Sequence, residues 1–324
     1  MGLTVLVVLL CALAVPPLLL ARGDGAGVGA AGAAPDGTGG DGGGEEGLPA
    51  AHAPEALRGE PMVGAPGPAG LRAAGDAMLA RAERMERMER RRIAAVRTWG
   101  VRMPPLRPPA PPEKRTSLVT EPGHISGEGL PPVITRVPTE DRVVFLTIDD
   151  GAEKDPKLLE MTRELEIPYT SFLSDHVARN DYDYFRRMRA DGNGIHNHSI
   201  NHREMPKLSR AEQKREICRQ QDVLEKEIGE RPTMFRPPYG AYDRTTLEVA
   251  AECGVEVVPL WAEEAFADRM EWGRGDRKFH PGDIILTHFR GPDEWKGTMP
   301  DMIRLVLDTA TEQGFALARL EDYI

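Results

Sequence analysis

Polar and apolar positions change texture at about residue 142. From there on, short apolar runs alternate with amphipathic stretches. The run 143–148 is apolar and β-branched and ends at Asp149-Asp150-Gly151, which predicts a strand closed by a turn. Asp155-Pro156 then opens a helix, with Leu158, Met161, Thr162 and Leu165 along one face. Further strands are predicted at 169–173, 194–197, 233–236, 255–261, 283–289 and 315–320. Helices are expected between them at 182–188, after the capping box Ser209 to Glu212, at 243–253 and at 300–313. Repeated strand–helix units imply a parallel sheet, open or rolled into a barrel, with chemistry collected at the C-terminal strand ends.

The first part of the chain carries no such rhythm. Residues 1–21 are apolar almost throughout, the length of a signal peptide core or a short membrane anchor. Residues 22–75 are dominated by Gly, Ala and Pro, with too few large apolar side chains to offset the entropy of ordering, and are expected to be disordered. Residues 76–99 read as a charged helix with a thin apolar stripe through Met78, Ala82, Met85, Ile93 and Val96. Residues 100–141, rich in proline, read as a spacer ahead of a catalytic domain at 142–324.

Composition adds three constraints. The net charge of −10 argues against nucleic acid or an anionic membrane surface as a partner. Any membrane contact is therefore assigned to the N-terminal segment alone. Cys218 and Cys253 read first as two small buried residues, with a disulfide as the alternative. The leading apolar segment and the long spacer behind it point to an extracytoplasmic protein, secreted or anchored at the outer face of the cell membrane.

The candidate chemistry lies at the predicted strand ends. Asp149 and Asp150 are adjacent, so they leave an extended backbone in different directions and suit two roles, one as a metal ligand and one as a base. The third strand opens a cluster of His196, His198 and His202, and His198 and His202 are spaced to bring both rings together in a helical turn. Two histidines with one carboxylate leave coordination positions open, as a catalytic site requires. Arg236-Pro237-Pro238-Tyr239-Gly240 holds an arginine on a rigid backbone, and Leu286-Thr287-His288 ends a later strand.

Taken together and in this order, these four motifs resemble the NodB-homology polysaccharide deacetylases, carbohydrate esterase family 4, over residues 142–324. The resemblance implies an α/β fold, a distorted (β/α) barrel, which the composition expects to follow a disordered N-terminal region. It implies a hydrolase that removes acetyl groups from an N- or O-acetylated polysaccharide of the cell wall or extracellular space. Asp150, His198 and His202 would hold one divalent ion, zinc first, with cobalt or another divalent ion as alternatives. Asp149 would be the general base, held by Arg236. The Tyr239 backbone N–H would stabilise the oxyanion, and His288 would protonate the leaving amine. Pro237, Trp261 and Leu286 would line the substrate pocket.

Two departures stand out. His196 occupies a position where the family often has glycine, and it is read as a bystander. The family's Asp-Trp motif is not recognisable after Trp261, so the carboxylate beside His288 is sought in Asp268, favoured, or Glu264. The altered motif leaves a competing reading, a catalytically weak glycan-binding domain of the same fold. A glycosidase working through paired carboxylates would explain neither the histidines nor Arg236.

Overall fold

Strand β2 (Val143–Asp150) organises the sheet, and its side chains alternate between two apolar environments. In the computed structural model, which describes residues 68–324, Val144, Leu146 and Ile148 point outward. They pack against Leu158, Met161 and Leu165 of α2 (Pro156–Leu165) and Met302, Ile303 and Val306 of α7 (Met299–Glu312). Val143 and Phe145 point the other way, into a second cluster with Phe172, Met234 and Ile284. The same inward row continues as Thr147 and Asp149, so the strand's own periodicity carries a carboxylate to the end of the barrel interior.

Around β2 the sheet runs β4 (Gly194–Asn197), β3 (Thr170–Leu173), β2, β8 (Ile284–His288), β6 (Glu263–Ala265) and β7 (Met270–Trp272). All these pairings are parallel except the β6–β7 hairpin, and β9 (Ala316–Leu317) pairs in parallel with the start of β2. The remaining wall is thin. Single bridges join Asn197 to Phe235 and Met234 to Val257. β5 (Val258–Pro259) then pairs with β1 (Val133–Ile134), and Arg136 bridges back to Asp283 beside β8. The result is the expected α/β architecture, a distorted (β/α) barrel. Helices α4 (Tyr182–Ala190), α5 (Arg210–Ile228) and α6 (Arg244–Glu252) complete the cover, together with the single turn α3 (Asp175–Ala178). The capping box at Ser209 and Glu212 forms as the sequence predicts.

Three expectations need correction. The charged helix α1 spans Pro68–Thr98 rather than 76–99, because Ala, Leu and Arg continue upstream to a proline at the first helical position. Residues 68–75, expected to be disordered, are therefore helical, while the rest of 22–75 and the apolar segment 1–21 lie outside the described residues. The stretch 100–141 is no free spacer. Arg102 pairs with Asp308 and Glu312, and Arg107 with Glu89 and Glu166. Glu121 accepts from the backbone N–H groups of Thr135 and Arg136, both at 2.9 Å. Val133, Ile134 and Val137 are fully buried, so the barrel begins before residue 142.

Cys218 and Cys253 form a disulfide that joins α5 to the end of α6, so the alternative reading holds. Among the described residues no helix is long and apolar enough to cross a membrane.

Candidate active site

Asp149 is buried, and its Oδ1 accepts from Arg236 Nη1 at 2.7 Å. Arg236 is itself withdrawn from water, and each of its three nitrogens is hydrogen-bonded. It donates to Thr147 Oγ1 at 2.8 Å, Pro259 O at 2.8 Å and Leu260 O at 3.1 Å, and its guanidinium lies 4.3 Å from the centre of the Phe172 ring. Burial pushes Asp149 up to about 6 against the pull of Arg236.

Asp150 ends the same strand with φ 78, a left-handed conformation that swings its carboxylate away from the strand's alternation. Its Oδ1 lies 3.2 Å from His202 Nε2 and 3.6 Å from His198 Nε2. The Arg236 carbonyl sits 2.7 Å from His198 Nδ1. A carbonyl only accepts, so Nδ1 carries the proton and Nε2 presents its lone pair. The sequence spacing suggested a helical turn for His198 and His202, but the loop is not helical. Ser199 and His202 take φ 67 and 53, which brings the rings within 4.9 Å of one another. Ser199 Oγ accepts from the His202 N–H, and Asn197 Oδ1 from the Ser199 N–H, which fixes this loop. Such backbone strain gathers where the surrounding contacts over-determine it.

One ligand atom each from Asp150, His198 and His202 lies within 4.8 Å of the other two. Asp150 Oδ1 is buried with no hydrogen-bond partner. Burial lowers His198 to about 4, and burial together with His198 lowers His202 to about 4, so both rings are neutral at pH 7. Two buried donors and a partly buried third that converge in this way are costly unless a cation joins them. The donor set thus fits a divalent ion.

The sequence reading missed Arg290, just beyond the β8 histidine. Its Nη2 donates to Asp150 Oδ2 at 2.7 Å, and Glu294 holds its Nε at 3.1 Å. Burial pushes Asp150 up, but the histidines and Arg290 together leave it below its ordinary value. With His198 and His202 neutral, Arg290 is the fixed charge among them. It lies only two residues past His288, and nothing in the local pattern separates it from a solvated loop arginine.

His288 stands at the end of β8 in register with Asp149, and burial holds it below the usual histidine range. Its Nδ1 lies 3.5 Å from Glu264 Oε1. The favoured candidate, Asp268, is instead an exposed partner of Arg269. The unforeseen β6–β7 hairpin explains the difference. Glu264 sits within β6, in register with Leu286, whereas Asp268 falls in the hairpin loop. Burial, with Glu271 and Asp149 nearby, pushes Glu264 up to about 7.

Tyr239 takes φ 61 in the turn Pro238–Gly240, with its ring exposed and 4.8 Å from that of His202. Pro237 and Leu286 are buried, and Trp261 packs closely over Gly240. His196 turns away from the cluster: its Nε2 lies 3.1 Å from Glu321 Oε1, and its Nδ1 accepts from the Met234 N–H.

A family model described as polysaccharide deacetylase matches residues 136–258. An uncharacterized protein of Streptomyces coelicolor is 39% identical over 66% of this chain and 87% of its own length. A peptidoglycan-N-acetylglucosamine deacetylase of Bacillus cereus is 25% identical over 59% of this chain and 92% of its own. The solved structure of a CE4 family pseudoenzyme from Bacillus anthracis superposes with a TM-score of 0.51, at 21% identity, covering 60% of this chain and 69% of that one.

Arg290 fixes which oxygen of Asp150 faces the histidines. Replacing Arg290 with Met should weaken divalent-metal binding by roughly tenfold to a hundredfold, as loss of an outer ligand contact does elsewhere. Calorimetric titration of the metal-stripped protein measures this, and an unchanged affinity would contradict the assignment.

Proposed function

The chain belongs to the polysaccharide deacetylase family, and from that premise we propose that it hydrolyses acetyl groups on an N-acetylated glycan of the cell wall. The observation that carries this reading is the separation of two carboxylates on one strand end. Asp149 is held by Arg236, and Asp150 faces two neutral histidines. A site that only stored a metal would have no use for a second carboxylate buried at such expense.

In this reading Asp150, His198 and His202 hold the divalent ion, zinc first. The ion supplies Lewis acidity that polarises the acetyl carbonyl and acidifies water. Asp149 takes a proton from the attacking water through Oδ2, the oxygen that Arg236 leaves free. Water oxygen bonds to the acetyl carbon, and the backbone N–H of Tyr239 faces the oxygen that gains charge. The carbon–nitrogen bond then breaks, and His288 gives its proton to the departing amine. Glu264 steadies the charged form of His288. Pro237, Leu286 and Trp261 wall the acetyl group.

Action outside the cytoplasm agrees with the Cys218–Cys253 disulfide, which persists in oxidising compartments. The apolar segment 1–21 would export the chain or hold it at the outer face of the membrane. A second reading, a glycan-binding domain with little turnover, draws on the missing Asp-Trp motif and the long 3.5 Å approach of Glu264 to His288.

Acetate release separates the two. Purified protein with zinc should liberate acetate from N-acetylated peptidoglycan or chitin-type oligomers and lose that activity in chelator. Glycan binding without acetate release from any substrate in such a panel would favour the second reading.

The role of Glu264 is testable through pH. Losing a carboxylate beside His288 destabilises its protonated form, so Glu264→Gln should move the alkaline limb of the rate profile to lower pH. Asp268→Asn should leave that limb in place. The reverse pattern would return the role to Asp268.

A further inference from the structure

Helix α1 reaches well beyond the surface it packs on. Its last turns bury Arg92, Ala95 and Val96 against the domain, with Arg92 donating to the carbonyl oxygens of Leu165 and Pro105. The same side of the helix continues upstream as Met85, Ala82 and Met78, where Met85 and Met78 are 51% and 73% exposed. Leu79, Met88 and Ile93, the helix's other exposed large apolar residues, flank that line.

A seven-residue repeat orders these positions. Gly75, Ala82, Glu89 and Val96 form one column, and Met78, Met85 and Arg92 the other. The domain occupies the seam at Arg92 and Val96 and leaves it open from Met88 upstream. The flanks differ in charge. Arg81 and Met88 stand on one side, and Leu79, Glu86 and Ile93 on the other.

We propose that this open seam pairs with the same seam of a second copy of the chain, in parallel and in register. In that arrangement each flank meets the opposite flank five residues further along the partner, so Arg81 of one helix meets Glu86 of the other. Arg81 makes no ion pair among the described residues, and Glu86 bonds only to the exposed Arg90 one turn away. Antiparallel pairing would instead set each flank against itself, arginine side to arginine side. Small residues in one column and methionines in the other allow close approach and adaptable packing. The open seam covers few turns, so the pair is weak, and a trapping readout is needed.

Cysteine crosslinking of the full-length chain, with Cys11→Ser in every variant, provides the test. Under mild oxidation Met85→Cys and Met78→Cys should each give a covalent dimer on a non-reducing gel, while Arg87→Cys, on the opposite face, stays monomeric. Arg81→Glu or Glu86→Arg in the Met85→Cys background should each lower the dimer yield several-fold, and the two together should restore it. Equal yields at positions 85 and 87, or charge reversals without effect, would overturn the pairing. Monomer at both seam positions, with the chain instead floating with anionic phospholipid vesicles, would assign the face to a membrane surface and overturn it equally.

Discussion

A guanidinium with no access to water has to be satisfied entirely by its neighbours, and Arg236 meets that demand by tying three parts of the barrel together. Its side chain joins Thr147 and Asp149 on β2 to the carbonyls of Pro259 and Leu260, and its own carbonyl orients His198. Removing one member of a buried charged pair typically costs about 3–5 kcal/mol, because the other charge is left unpaired. The placement of Asp149 is therefore bound to the closure of the thin wall of the barrel. The geometry of the site and the fold rest on the same contacts.

Around that anchor the two carboxylates are driven to different states by different surroundings. Asp149 lies in the dry interior row of β2 and is pushed up to about 6 by burial. Asp150, one residue on, leaves the row through a left-handed backbone and meets histidine nitrogens on one oxygen and Arg290 on the other. Adjacent residues of one type thus acquire separate capacities. One is pushed up toward neutrality, and the other stays below its ordinary value within a donor set that fits a divalent ion.

Much of this was legible in the sequence. The continuous apolar, β-branched run 143–148 and the helices' capping residues are strong local signals, and each polar motif closes a predicted strand. Strands of two or three residues carry no periodicity, which hid β1 inside a proline-rich stretch and the β6–β7 hairpin after Trp261. Missing the hairpin misplaced the carboxylate beside His288, since only the register of β6 against β8 brings Glu264 there. Arg290 and the arginine pairs that lay 100–107 on the domain are tertiary contacts between distant segments, invisible to local pattern. The left-handed turn at His202 shows the same limit, for an i, i+4 spacing names two neighbours without fixing the backbone that joins them.

The division of labour between the two aspartates is the centre of this reading, and one paired measurement reaches it most directly. Zinc content and acetate release are determined on the same preparations of Asp149→Asn and Asp150→Asn. Asp149→Asn is expected to retain the metal, which also reports an intact fold, and to release no acetate. Asp150→Asn is expected to lose both. Near-normal acetate release by Asp149→Asn, or full metal retention by Asp150→Asn, would contradict it.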